Sequence, residues 1–281
     1  MVAPAFALAP TQSALQSRMV TLQRRVRFNL GLSGGSSSEQ AYNGFGGSPS
    51  MIGLGAHYEI DVVCTGEPDP ATGYLINIKT IDRAVREHAV PLVAARIRDC
   101  PEQEPAQVIA PVAEAVADAL EVRLARLAWR LSPTYSVEYE METGRVTLRQ
   151  QFDFAASHRL HVPTLSDDEN RRLFGKCNHP SGHGHNYRVE PCVEIESGGV
   201  PAFTLIDLER LTARHVIDPF DHKHLNIDTE EFGEGGLNPS VENIARVCFD
   251  RLSEAIAGHG GARLCRVTVW ETDRTCATYP S

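Results

Sequence analysis

The chain has 281 residues, 42% hydrophobic and 22% charged, an ordinary globular balance at a length that suggests two domains of roughly 100 to 150 residues. A formal net charge of -9 argues against a general nucleic-acid binder, whose affinity rests on neutralising phosphates, and leaves room for a local basic pocket for a small anion. Seven cysteines without a CxxC pair, and no apolar run of the roughly 18 to 20 residues a membrane span needs, point to a reducing, cytoplasmic setting with no membrane partner.

Residues 1–21, with no basic stretch ahead of their apolar part, read as a loose tail. Beyond them a pattern occurs twice. GLGAHYEIDVVCTGEPDPATGYLINIKTIDRAV, from Gly53, and GHGHNYRVEPCVEIESGGVPAFTLIDLERLTARHV, from Gly182, both run glycine, x, glycine, two variable residues, tyrosine, a strand, a turn and an amphipathic helix. Upstream, RVRFNLGLSG resembles QQFDFAASHR. Downstream, the helical periodicity of residues 107–127 takes the place of SVENIARVCFDRLSEAIAGHG.

The expected units are therefore 22–144 and 145–281, joined at METGR, residues 141–145. In the second unit Ser240 is the expected N-cap of a helix that Gly258 ends, LCRVTVW at 264–270 alternates as a strand, and residues 230–239 form a surface loop. Helices on one face of an antiparallel sheet make the fold class α+β.

Chemistry concentrates in KCNHPSGHGHNYRVE, residues 176–190. On a strand, a period of two turns His183 and His185 to one face, and two imidazoles on one face begin a metal site. Catalytic zinc takes three protein ligands and keeps a fourth position open, so a third donor is needed. His158, at the end of FDFAASH, is the best placed, with His161 and His179 as alternatives for any of the three. Gly184 between the paired histidines leaves space for backbone or ligand.

Cys177 lies where a nearby cation would favour its thiolate. Asp221 and His222, in PFDHKHLN, form an acid and imidazole pair of the kind that shuttles protons. Glu271 ends an apolar strand and needs a donor partner, either the parallel N–H groups of a heterocycle edge or an arginine, Arg266 or Arg274.

FDFAASHRL, CNHPSGHGHNY, PFDHKHLN, NPSVENIA and VWETDRTCATY occur in the order and approximate spacing of the 6-pyruvoyltetrahydropterin synthase family, which includes the 6-carboxytetrahydropterin synthases of queuosine biosynthesis. The resemblance covers most of residues 148–279. It implies two tandem tunnelling-fold (T-fold) domains, each an antiparallel four-stranded sheet with two helices on one face. It further implies zinc on His158, His183 and His185, Cys177 as the proton-abstracting base, Asp221 and His222 as its acid/base partners, and Glu271 as anchor of the pterin's amino-pyrimidine edge. Ser240 stands where many family members carry threonine near the pterin.

The implied reaction is a carbon–oxygen lyase step on 7,8-dihydroneopterin triphosphate. The six-residue step from Cys177 to His183, followed by GHGHNY, is like the pyruvoyl-forming branch. A carboxy-forming enzyme and a non-catalytic, zinc-containing pterin-binding module are the alternatives. A metal-dependent hydrolase leaves Glu271 and Cys177 without roles. Arg159, Arg188 and Lys223 are the basic residues nearest in sequence for the triphosphate.

The first unit lacks the motif. Leu54 and Ala56 replace His183 and His185, Gly34 falls opposite His158, Ser48 opposite Cys177, Val93 and Ala94 opposite Asp221 and His222, and Ser132 opposite Glu271. His57 aligns with Asn186 and reads as a structural or surface histidine. The expected assembly is a homo-oligomer with active sites at domain interfaces, the first unit supplying a neighbouring surface.

Overall fold

In VTLQRRVRFNL the side chains alternate, so Val26, Phe28 and Leu30 share one face of β1 (Val20–Leu30), each at most 2% exposed. The computed structural model describes residues 19–31, 41–43, 47–199 and 201–281. The strand begins just ahead of the expected boundary at 22, and most of the expected tail lies outside the described residues. A ribbon of β2 (Ala41–Asn43) and β3 (Ser48–Pro49) precedes β4 (Ala56–Gly66), which runs antiparallel to β1 with Tyr58 opposite Phe28.

Asn77 accepts the Lys79 amide and starts a long helix: α1 (Ile78–Ala84), a π-helical turn at Val85–Ala89, and α2 (Val90–Asp99). Next come α3 (Pro105–Asp118), β5 (Arg123–Arg130) and β6 (Tyr135–Glu140). The helical periodicity read over 107–127 thus overruns α3, and its last residues are strand. Pairing with β4, Leu127 opposite Val62, satisfies their backbone groups and buries Leu124 and Leu127, which outweighs helix propensity.

The second half opens with β7 (Arg145–Gln150) and β8 (Phe152–His158). A capping box at Ser166 and Glu169 starts α4 (Asp167–Phe174), which runs into a 3-10 turn at Gly175–Asn178 and then β9 (His183–Glu196). A second long helix follows, capped by Thr204: α5 (Leu205–Thr212), a π-helical turn at Ala213–Ile217, and α6 (Asp218–Phe220). After β10 (Lys223–His224) and α7 (Leu225–Asp228), α8 (Val241–Ala257) starts at Ser240 and ends at Gly258, as expected. β11 (Arg263–Thr272) and β12 (Thr275–Tyr279) complete the chain.

The main sheet runs β1-β4-β5-β6-β7-β9-β11-β12. β8 continues the line of β7 along β9, and β10 adds a short parallel pairing to β8. METGR is the turn of a hairpin that sets Tyr139 opposite Val146, so both halves share one sheet. Its helix-covered side is one contiguous apolar layer that includes Phe28, Ile60, Val137, Tyr187 and Val267.

Its other side is charged. Glu138 takes Arg126 at 2.9 Å and Arg149 at 3.1 Å across the hairpin that links the halves. All seven cysteines are free.

Candidate metal centre and active site

β8 and β9 pair antiparallel with His158 opposite His183 and Ala156 opposite His185. His158, His183 and His185 therefore share the helix-facing side of the sheet, as the period of two requires. Their donor atoms lie within 4.8 Å of one another, and His158 Nε2 is 3.2 Å from His183 Nε2. The two alternative ligands are occupied elsewhere: His161 Nδ1 is 3.1 Å from Asn178 Nδ2, and His179 Nδ1 accepts the Ser181 amide.

His158 is fully buried, and its Nδ1–H donates to the Pro239 carbonyl at 2.6 Å, which fixes the ring and leaves Nε2 as a lone pair aimed at its neighbours. Burial pushes the His158 imidazole down to about 4, with His183 and His185 adding to the effect and the Pro239 bond opposing it. Burial and His185 also lower His183, against the pull of Glu271. His185 Nε2 is buried with no hydrogen-bond partner. Converging ring nitrogens, burial that disfavours the charged form of His158 and His183, and the orphaned Nε2 of His185 fit a divalent cation of the zinc type.

Glu271 joins this cluster. Its Oε1 lies 3.6 Å from His158 Nε2 and 3.7 Å from His185 Nε2, and among the described residues it forms no ion pair with Arg266 or Arg274. The histidines, rather than an arginine, are what this carboxylate faces. Gly184, expected to leave room, is not crowded, since a Cβ there would meet Ala156 O at an ordinary 3.6 Å. The demanding position is Gly182, at φ +69°, where a Cβ would come within 2.7 Å of His224 Nε2 and 2.8 Å of the His158 carbonyl.

Cys177 is half-buried on the 3-10 turn. Its carbonyl accepts the Leu160 amide at 2.9 Å, Asn178 Nδ2 donates to the Leu160 carbonyl at 2.7 Å, and Arg159 Nε donates to the Asn178 carbonyl at 3.1 Å. The turn is thereby tied to the two residues that follow His158. Buried Asn170 clamps the same loop through the amide of Val162 and the carbonyls of Val162 and Leu165. No sequence motif marks either asparagine or Pro239 as an acceptor, whereas the S-x-x-E capping box at Ser166 is a readable signal.

Asp221 and His222 form the expected pair, Nδ1 to Oδ2 at 2.8 Å. Asp221 also accepts the Ala155 amide at 2.8 Å, and that bond, then His222, holds its carboxyl below the usual range. His222 adopts φ +57°, the left-handed region, and its side chain is 82% exposed. His222 and His185 line one cleft of about 610 Å³. The pair bonds to Ala155 rather than to Cys177 within the single chain. Ser240 Oγ accepts the Asn243 amide at 3.4 Å, a cap that leaves its hydroxyl proton free for a ligand.

In the first half, Phe28 opposite Tyr58 matches Phe154 opposite Tyr187, and Ala56, two residues before Tyr58, stands where His185 stands. This register aligns His158 with position 32 rather than Gly34, and both lie outside the described residues. Glu59 opposite Arg130 likewise matches Arg188 opposite Trp270, so Leu131, not Ser132, takes the place of Glu271. His57 Nδ1 meets Asn29 Oδ1 at 2.6 Å, a structural role.

No helix among the described residues is long and apolar enough to cross a membrane. Residues 147–281 match the family model described as 6-pyruvoyl tetrahydropterin synthase. The 6-pyruvoyl tetrahydrobiopterin synthase of Homo sapiens is 38% identical over 132 residues, 46% of this chain and 88% of that protein. A putative 6-pyruvoyl tetrahydrobiopterin synthase of Caenorhabditis elegans is 36% identical over 136 residues, 48% of this chain and 94% of that protein. The solved 6-pyruvoyl tetrahydropterin synthase structure of Caenorhabditis elegans aligns with a TM-score of 0.43 over 48% of this chain and 94% of its own, at 36% identity. Through its second half, this chain belongs to the 6-pyruvoyl tetrahydropterin synthase family.

Proposed function

We propose that the chain is a zinc-dependent lyase that converts 7,8-dihydroneopterin triphosphate to 6-pyruvoyl-tetrahydropterin with elimination of triphosphate. The observation that carries this reading is the cluster of His158, His183 and His185 with Glu271 at its open side. Bound zinc would supply Lewis acidity toward the substrate's side-chain hydroxyls.

The chain's own residues supply the proton handling. Cys177 Sγ takes a proton from a side-chain carbon, and the electron pair left behind reduces the ring's imine as the ring gains that hydrogen. A second proton is lost from the neighbouring hydroxyl-bearing carbon, whose pair forms a C=C bond as the C–O bond to triphosphate breaks with its own pair on the leaving oxygen. The enol then takes up a proton to become a methyl ketone, so no external oxidant or reductant is needed. Asp221 holds His222 Nδ1, leaving Nε2 to exchange a proton. Glu271, close to the metal ligands, both orients the pterin end and balances the cation's charge. Ser240 adds a hydroxyl at the start of α8.

The two halves read as tandem T-fold domains. The matching Phe–Tyr pairings and the π-helical turn inside each long helix support this. The exposure of His222 supports an active site completed at an interface between domains of a homo-oligomer.

Product analysis with zinc-loaded protein tests the reading. Triphosphate and a pyruvoyl pterin are expected. A carboxy-pterin with acetaldehyde would place the chain in the queuosine branch, and pterin binding without turnover would make it a binding module.

A further inference from the structure

Three clefts border the histidine cluster, and their charges differ. The cleft of about 610 Å³ beside His185 carries Lys223 against Asp228. The one of about 460 Å³ beside His185 and Glu271 carries Arg188 against Asp153, Glu271 and Asp273. Arg188 is further committed there, with Nη2 on Asp273 at 3.0 Å and its guanidinium 5.3 Å over the Trp270 ring. The third, of about 560 Å³, opens on His183 and carries Arg159, Arg171 and Lys176, with His179, against Asp167; Arg171 is itself paired with Asp168 at 2.5 Å.

With Arg171 so paired, the third cleft keeps Arg159 and Lys176 against Asp167, the one net positive lining of these three. Arg159 Nε is fixed by the Asn178 carbonyl, which orients the guanidinium and leaves its Nη groups for a ligand. Lys176 is exposed and immediately precedes Cys177 on the same pinned turn.

We propose that this cleft is the subsite for the substrate's triphosphate, an inference that rests on the pterin triphosphate reading above. A triphosphate ester carries several negative charges and is rejected by the acidic cleft beside Glu271. It is also joined to the side-chain carbon next to those bearing the hydroxyls, so its subsite must adjoin the histidine cluster, as the cleft at His183 does. The arrangement sets the leaving group's cations beside the turn that presents the base.

The test measures binding of inorganic tripolyphosphate and, separately, of phosphate-free 7,8-dihydroneopterin to the full-length zinc-loaded protein. Lys176→Ala, at an exposed position, and Arg159→Lys, which keeps the charge but loses the fork, are each expected to weaken tripolyphosphate about tenfold. Dihydroneopterin affinity should be unchanged in both, and Lys223→Ala should bind tripolyphosphate as the parent does. If both variants bind tripolyphosphate like the parent, or if Lys223→Ala shows the same loss, the subsite is overturned while the pterin reading stands. A parent protein that binds neither probe overturns the pterin reading, and the subsite with it.

Discussion

The two halves of the sheet place the same Phe–Tyr pair on adjacent strands and then diverge. Ahead of Tyr187 the strand carries His185 and His183 beside His158, whereas ahead of Tyr58 the strand starts at Ala56, and Leu54 lies in the preceding turn, 91% exposed. On the opposite face the first half builds an ion-pair network instead, with Asp61 only 2% exposed between Arg25 at 2.7 Å and Arg130 at 3.2 Å. Matching strand pairings thus carry converging ring nitrogens in one half and charge pairs in the other. Fold alone does not supply the site.

The largest effect expected from breaking this contrast is in the second half. His183→Ala or His185→Ala removes one of the three proposed ligands, and bound zinc should fall below about a tenth of the parent's content with product formation down roughly a thousandfold, measured by metal analysis and turnover. Cys177→Ser should lower turnover by roughly 100-fold to 10,000-fold with zinc content unchanged, which separates base from ligand.

In the first half, Asp61→Ala leaves two arginines without their shared carboxylate. Both guanidiniums are partly exposed and Arg25 keeps Glu59 at 3.2 Å, so a loss of about 1 to 2 kcal/mol in urea unfolding is expected, with zinc content unaffected. Burial holds His158 near 4 against roughly 6.5 in the unfolded chain. The unfolded state then binds more protons between those values, so metal-free protein should lose stability as pH falls from about 6.5 toward 4, a slope that zinc suppresses by competing for the same nitrogens. The smallest effect is that of Ser240→Ala, about 0.5 to 1 kcal/mol, because its capping bond is long at 3.4 Å.

Much of the site was legible because it rests on periodicity. HGH on a strand fixes two imidazoles on one face, and FDFAASH ends in the third because β8 pairs with β9 in full register. What stayed hidden depends on contacts between distant segments. The approach of Glu271 to the histidines follows from the β9–β11 register, and the Pro239 carbonyl reaches His158 across a loop. The end of α3 was misread because Arg123–Leu127 continues the apolar spacing of a helix while its backbone is claimed by β4. Where similarity lies in pattern rather than letters, strand pairing sets the register, two residues from the sequence alignment at the end of β1 and one residue from it after β5.

X-ray absorption at the zinc edge of the full-length, zinc-loaded protein, together with the metal count per chain, tests the central claim most directly. One zinc per chain with three nitrogen donors at about 2.0 to 2.1 Å and no sulfur is the predicted result. A second zinc bound per chain, or a sulfur donor near 2.3 Å that disappears in Cys177→Ser, would contradict it, because Cys177 would then be a ligand rather than the base.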